Sequence, residues 1–123
     1  NDQEKQELQQ LYAGTEGKVV FHDFWFLGCG PCMAEMPHYN QLIDAAGDST
    51  QFIFLAAHTK KDDWQRIVQK YNLKGRHHLL SPNQLAFYER YFNVSSFPHH
   101  QMLNAKGQIA AGVYPVEREV HTA

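Results

Sequence analysis

The stretch FWFLGCGPCMAEMP, Phe24 to Pro37, contains the only two cysteines of the sequence, Cys29 and Cys32, between an aromatic run and a proline. A structural disulfide between them would close a loop so short that it would constrain little of the unfolded chain. Structural zinc binding would need two further ligands at suitable spacing. Inert core thiols are the remaining alternative. We therefore interpret the pair as thiols that react.

The residues around this stretch predict a strand followed by a helix. The segment KVVFHDFW is rich in β-branched and aromatic residues, which is typical of a strand buried on both faces. After Cys29 the sequence favours a helix, broken or kinked at Pro37. The opening segment NDQEKQELQQLYAG predicts a short helix that ends at Gly14, with its apolar side formed by Leu8, Leu11 and Tyr12. The cysteines are thus expected at a strand-to-helix turn.

The second half of the sequence alternates in the same way. QFIFLAAH predicts a strand, and the helix after it is expected to start at Asp62 and Gln65, a pair that resembles a capping box. RHHLL is short and ambiguous between strand and loop. Ser81 with Pro82 and Gln84 marks a further helix start.

The segments HHQMLN and QIAAGVY predict two strands joined by a turn at Gly107. The predicted order is therefore one helix, three strand-helix units and a hairpin. This order indicates an α/β fold whose sheet has a parallel part and an antiparallel edge.

Composition limits the kinds of partner. The 123 residues are 43% hydrophobic and 13% aromatic, which argues against disorder and predicts one domain with a single core. The net charge of −2 offers no basic surface for nucleic acid. We expect no membrane span, because no apolar run is long enough to cross a bilayer. We also expect no secretory leader, because no apolar run opens the sequence.

The positions of the two cysteines predict different roles. A thiolate is the attacking species in disulfide exchange, and the start of a helix stabilises it through free N–H groups and the helix dipole. Cys29 is therefore the expected nucleophile. Cys32 lies one helical turn further on, where it can resolve a mixed disulfide while better shielded. Gly30 permits the tight entry into the helix, and Pro31 suits its first turn.

The segment DFWFLGCGPCMAEMP resembles thioredoxin-fold active sites. From about Glu16 to Tyr114 the sequence resembles the TlpA/ResA-type branch of bacterial extracytoplasmic thiol-disulfide oxidoreductases, for which AEMP after the cysteines is typical. The resemblance implies a thioredoxin-like fold, a central mixed β-sheet flanked by helices, with one additional strand-helix unit between Cys32 and Pro98.

The resemblance also implies supporting residues. Pro98 corresponds to a cis-proline that faces the cysteines, and Phe97 before it would offer its backbone to a substrate. Asp23 matches the buried acid of thioredoxin and is expected to accept a proton from Cys32, with an ordinary strand-end acid as the alternative. Glu35 matches a glutamate near the site and is expected on the exposed side of the helix, where ordinary helix-dipole stabilisation is the alternative.

Two further positions are candidates for contact with substrate. Gly28 stands where the family usually has tryptophan, which predicts a less covered docking surface. His99, directly after the proline, is a candidate substrate contact. The pairs His77-His78 and His99-His100 are not expected to bind metal, because adjacent residues on a strand point to opposite faces.

We thus expect a dithiol-disulfide oxidoreductase that needs no cofactor and acts on protein thiol or disulfide substrates, with an upstream thiol protein as electron donor. Gly30 and Pro31 supply no cation, which places the expected potential nearer the reducing end. The resemblance implies an extracytoplasmic reductant in the bacterial periplasm, with cytochrome c maturation or general disulfide reduction as its process, although a CxxC pair also occurs in the cytoplasm. We expect a monomer.

The expected division of this single domain is a helical extension at 1–15, a redox core at 16–114 and a tail at 115–123. The alternative function is a non-catalytic redox-sensing or protein-binding module on the same fold. A thiol peroxidase is disfavoured because no Thr-x-x-Cys motif is present.

Overall fold

The computed structural model describes residues 2–106 and 108–110. Five α-helices and five β-strands are found in this part of the chain, and one 3₁₀ turn, Met36–His38, joins the second and third helices. The elements in chain order are α1 (Asp2–Leu11), β1 (Val19–Trp25), α2 (Gly30–Glu35), α3 (Tyr39–Ala46), β2 (Thr50–Ala56), α4 (Lys61–Lys70), β3 (Arg76–Leu79), α5 (Pro82–Tyr91), β4 (His99–Leu103) and β5 (Ile109–Ala110).

The strands form one mixed sheet in the order β3-β2-β1-β4-β5. β1 pairs in parallel with β2, and β2 pairs in parallel with β3. β4 is antiparallel to both of its neighbours. The predicted α/β fold with a parallel part and an antiparallel edge is confirmed. Between Cys32 and Pro98 lie two strand-helix units, β2 with α4 and β3 with α5, so the ambiguous segment RHHLL forms a strand.

Both faces of the central strand β1 are covered. Val20 and Phe24 point into one hydrophobic cluster, which α1 and α5 complete through Leu11 and Leu85. Because side chains alternate along a strand, Phe21, Asp23 and Trp25 point the other way. On that second face Phe21 and Trp25 pack with residues of α2, α3 and α4. The predicted burial of β1 on both faces is confirmed, and the cysteines belong to the second cluster.

Of the two capping patterns that the sequence predicted, one is confirmed and one is wrong. Ser81 caps α5 through a full capping box, in which its hydroxyl accepts from the Gln84 amide and the Gln84 side chain accepts from the Ser81 amide. The predicted capping pair of Asp62 and Gln65 is wrong, because α4 is capped at Lys60 without a side-chain hydrogen bond. Asp62 lies inside the first turn, where a negative charge is favourable beside the helix dipole.

The expected interruption at Pro37 is confirmed, because the 3₁₀ turn that contains Pro37 separates α2 from α3. The tail at 115–123, the predicted turn at Gly107 and the second hairpin strand beyond Ala110 lie outside the described residues. Every helix within 2–106 and 108–110 is too short or too polar to cross a bilayer.

Replacing Ser81 with alanine should lower the free energy of unfolding by about 1 kcal/mol, because the first turn of α5 loses its side-chain cap. Urea denaturation measures the change. Ser81→Asp is the matched control, since a carboxylate can accept the same amide hydrogen and should keep most of the stability. Equal losses in both variants would contradict the capping role.

Candidate active site

The two cysteines lie at the junction of β1 and α2, as the sequence predicted. They form a disulfide, with their Cα atoms 5.2 Å apart. Cys29 is the N-cap of α2, and its sulfur accepts a hydrogen bond from the Cys32 amide at 3.2 Å. After reduction of the disulfide, this amide and the helix dipole favour a thiolate at Cys29.

Cys32 is better shielded from solvent than Cys29, as the sequence analysis expected. Cys29 is 5% exposed and Cys32 is fully buried, whereas Gly30 and Pro31 between them face solvent. An incoming disulfide would therefore meet Cys29 first. Cys32 would be reached from inside the protein.

The loop before Cys29 is held by hydrogen bonds. The Leu27 amide donates to the Thr59 hydroxyl, which in turn donates to the Ala57 carbonyl. Gly28 is exposed, and a Cβ atom there would lie 3.3 Å from Cε2 of the Phe26 ring. The Phe26 ring therefore lies directly beside the position where the family usually carries tryptophan.

Three rings meet at the end of the sheet that carries Cys29. Phe26 packs edge to face on Phe97 and on His58, with ring centroids 5.4 and 6.1 Å apart. The Phe97–Pro98 peptide bond is cis. Because β4 runs antiparallel to β1 and places His99 opposite Phe24, Phe97 and Pro98 lie at the end of the sheet that carries Cys29.

A buried cluster of ionisable side chains lies on the same face of the sheet as the cysteines. Asp23 on β1 is fully buried, and its Oδ2 accepts a hydrogen bond from the Tyr39 hydroxyl. His100 on β4 lies directly opposite Asp23 in the strand pairing. The Nε2 atom of His100 lies 2.9 Å from Oε2 of Glu35 and 3.8 Å from Oδ2 of Asp23.

Burial and mutual charge set the protonation of this cluster. Loss of solvation raises the pKa of Asp23 to about 7, although His100 and the Tyr39 hydrogen bond lower it in part. Burial alone would lower the pKa of His100, but the hydrogen bond to Glu35 and the two carboxylates raise it above its ordinary value. Burial and the neighbouring carboxylates raise the pKa of Tyr39 well above its ordinary value.

The ligand atoms of Asp23, Glu35 and His100 lie within 4.8 Å of one another. Glu35 and His100 approach at hydrogen-bond distance, as they would with a proton shared between them. The arrangement therefore has the character of a proton-binding cluster.

The model of a family described as thioredoxin-like matches residues 17–109. The chain belongs to this thioredoxin-like family. It is 37% identical over 68 residues to the thiol-disulfide oxidoreductase ResA of Halalkalibacterium halodurans, which confirms the resemblance to the TlpA/ResA branch. That match covers 54% of this chain and 36% of the relative, so it spans only about a third of the curated protein.

Solved structures share the thioredoxin-like fold at lower identity. The thioredoxin domain of a thiol-disulfide oxidoreductase from Bacteroides vulgatus is 21% identical with a TM-score of 0.75, covering 88% of this chain and 80% of that chain. A secreted Mycobacterium tuberculosis disulfide oxidoreductase, described as homologous to DsbE of E. coli, is 23% identical with a TM-score of 0.69, covering 90% of this chain and 86% of that chain.

One site prediction for this thioredoxin-like chain is corrected. Glu35 was expected on the exposed side of the helix, but it is only 2% exposed and contacts His100. Cys32 and Glu35 are three residues apart, so they share the face of α2 that meets the sheet. The charge of Glu35 is therefore paired inside the protein.

His99 and His100 point to opposite faces of β4, as the sequence analysis expected. The His99 ring packs on Phe24, on the face that carries α1 and α5, with ring centroids 5.8 Å apart. Its contact with substrate remains a prediction. The sequence analysis named His100 only in a pair not expected to bind metal, whereas its pairing with Asp23 places it on the same face as that carboxyl.

Tyr39 was also missed. Cys32, Met36 and Tyr39 are spaced as i, i+4 and i+7, and all three are buried in the same cluster. This spacing indicates a face that Tyr39 shares with the cysteine, despite the turn at Pro37. The hydroxyl contact with Asp23 depends on tertiary packing, which the periodicity alone does not contain.

Asp23→Asn should change the pH dependence of stability in the oxidised protein. The pKa of Asp23 rises from 3.8 to about 7 on folding, so the folded state holds more protons between these pH values. The wild-type free energy of unfolding therefore falls as pH rises through this window. Asparagine removes that loss, so the variant should gain stability relative to wild type from about pH 4 to about pH 7, with no further gain above.

Denaturant unfolding at closely spaced pH values measures this difference. Asp48→Asn is the control, because Asp48 is exposed and its replacement should leave the shape of the curve unchanged. Parallel curves for wild type and Asp23→Asn would show that Asp23 does not titrate in this window.

Proposed function

We propose that this protein is a thiol-disulfide oxidoreductase that reduces or exchanges protein disulfides through Cys29 and Cys32. One observation carries the proposal: the disulfide joins a helix N-cap cysteine to a fully buried partner on the face that also holds a buried carboxyl cluster. The match to ResA supports the same chemistry.

The proposed cycle starts from the reduced dithiol. The Cys29 thiolate attacks one sulfur of a substrate disulfide, which forms a mixed disulfide and releases the other substrate sulfur as a thiolate. Cys32 then gives its proton to Asp23 and attacks Cys29. The Cys29–Cys32 bond forms, the mixed disulfide breaks, and the substrate leaves fully reduced. An upstream thiol protein returns two electrons to the pair.

Asp23 suits the role of proton acceptor in this cycle. Its pKa of about 7 allows it to take up and release a proton near neutral pH. Glu35 and Cys32 share the inner face of α2, and Glu35 reaches the cluster that contains Asp23. This arrangement supports Asp23 as the base for Cys32, and removing its charge should slow the second step.

The direction of the reaction follows from the residues between the cysteines. Gly30 and Pro31 provide no positive charge to over-stabilise the reduced form, which supports a reductant. We further propose a monomeric extracytoplasmic protein that serves cytochrome c maturation or general disulfide reduction. The family resemblance supports this location, as does the fold shared with a secreted oxidoreductase. In this proposal 16–114 form the redox core.

Substrate docking is proposed at the end of the sheet that carries Cys29. The exposed Gly28, the rings of Phe26 and His58, and the Phe97–Pro98 segment lie around that end. Phe97, two residues before β4, would present its backbone to an extended peptide, and His99 at the start of the strand would be a further contact.

Reduction of insulin by dithiothreitol, followed by turbidity, tests the activity. Catalytic amounts of the protein should shorten the lag before precipitation, and Cys29→Ala should abolish the effect because it removes the attacking thiol. An unchanged lag with the wild-type protein would favour the alternative, a redox-sensing binding module.

Cys32→Ala should accumulate covalent adducts with substrate proteins, because the resolving thiol is gone while Cys29 can still attack. Non-reducing gel electrophoresis after alkylation counts these adducts, and a reductant should release them. Cys29→Ala is the matched control and should trap almost none. Equal trapping by both variants would reverse or remove the assigned roles.

A further inference from the structure

We propose that protonated His100 acts through Asp23: its positive charge keeps the buried carboxylate in the deprotonated form that can accept the Cys32 proton. This inference rests on the proposed oxidoreductase activity and assigns a positioning residue to its second step. His100 lies two residues after Pro98, and the sequence analysis gave it no role in the reaction.

The geometry restricts what His100 can touch. Its Nε2 atom faces both carboxyl groups, 2.9 Å from Oε2 of Glu35 and 3.8 Å from Oδ2 of Asp23. The shorter distance is that of a charge-assisted hydrogen bond, and the longer one leaves an electrostatic contact without a hydrogen bond. His100 is therefore bonded to one acid and acts on the other through its charge.

The groups that face His100 explain why its charge matters. Asp23 approaches from β1 and Glu35 from α2, while Tyr39 from α3 reaches the cluster through Asp23. The Phe21 ring covers the imidazole, with centroids 5.7 Å apart. On β4 itself the neighbouring His99 lies on the opposite face. Within the described residues, His100 is thus the cationic side chain of this cluster.

Two carboxylates in one buried site do not ionise together without compensation. Like charges and lost solvation both favour the protonated form, so one of the two acids would hold a proton at neutral pH. Asp23 is the more vulnerable, since it is fully buried and its Oδ1 has no hydrogen-bond partner among the described residues. A protonated Asp23 could not accept the proton of Cys32.

His100 therefore acts on one defined transfer. The proton of the Cys32 thiol moves to the Asp23 carboxylate, and the Cys32 sulfur attacks Cys29 as a thiolate. The bond from Cys29 to the substrate sulfur breaks, and the substrate departs with the electron pair. Asp23 then loses its proton to solvent before the next cycle.

The test compares His100→Gln with wild type. Glutamine can still donate a hydrogen bond to Glu35, so the variant removes the charge while retaining a donor. His77→Gln is the matched control, because His77 is also a partly buried strand histidine and its ring stacks on Phe54 of the same hydrophobic cluster. Both variants lose one aromatic contact, and only one loses the charge beside Asp23.

The first measurement needs no turnover. Carbon-detected NMR titration of the Asp23 carboxyl in the oxidised protein should move its midpoint upward by about one pH unit or more in His100→Gln. His77→Gln should titrate like wild type. An unchanged midpoint in His100→Gln would overturn the proposal.

The second measurement follows the two steps separately. Reduced protein reacts with 5,5′-dithiobis(2-nitrobenzoate) in a stopped flow, where attack by Cys29 releases the first thiolate and attack by Cys32 releases the second. The pH profile of the second phase should shift upward by about one unit in His100→Gln, which is a loss of about fivefold at pH 7 and about tenfold well below it. At high pH the rates of variant and wild type should converge.

The outcomes separate this inference from the proposed function. A second phase slowed equally at every pH would show a merely structural role and overturn the inference. A shifted profile with His77→Gln unchanged would support it. If wild type fails to accelerate insulin reduction, the proposed function fails, while the carboxyl titration still decides whether the charge of His100 controls Asp23.

Discussion

Burial of the Asp23 carboxyl in the central strand is the constraint on which the site depends. A charged group without solvent is unfavourable unless it is paired or neutralised. The Tyr39 hydroxyl donates a hydrogen bond to Asp23 and the His100 imidazole lies 3.8 Å from it, and each comes from a different element. The positions of α3 and β4 relative to β1 are therefore part of the chemistry as well as of the packing.

The pKa of a buried histidine shifts in opposite directions on the two faces of the sheet around β1. His22, next to Asp23 in the sequence, is buried on the face of α1 and α5, where the Tyr12 hydroxyl meets its Nε2 at 3.1 Å. Burial there lowers the pKa of His22 to about 3, so this histidine remains neutral. No carboxylate is among the groups that shift its pKa. Two carboxylates share the face of His100, and they raise its pKa.

Local signals were sufficient for much of the fold. The apolar pattern of β1, the capping residues around Ser81 and the proline after α2 each predicted an element that the structure contains. The start of α4 was misplaced because Asp62 and Gln65 satisfy the capping pattern two residues beyond the true N-cap, Lys60. The short β3 was ambiguous because four residues carry too little periodicity, and only pairing with β2 makes them a strand.

In the candidate site, too, local features were predictable from the sequence and tertiary contacts were not. Cys29 and Cys32 followed from spacing and from the strand-to-helix junction, both of which are local. The cluster of Asp23, Glu35 and His100 combines β1, α2 and β4, with Glu35 and His100 sixty-five residues apart. No pattern in a single sequence predicts which of its acidic residues and histidines will be in contact in the folded protein. Strand alternation could have grouped Asp23 with His100 only after the pairing of β1 with β4 was known.

Charge balance shows why these three groups suit the proposed transfer of the Cys32 proton. In the starting state of that proposal, Asp23 and Glu35 are carboxylates and His100 is protonated, so the buried cluster carries one net negative charge. Accepting the proton of Cys32 makes it neutral, while the negative charge moves to sulfur and leaves with the substrate. Without His100 the same transfer would start from two buried negative charges, a state that the low-dielectric interior strongly disfavours. The histidine therefore makes the proton-accepting form of the site compatible with its burial.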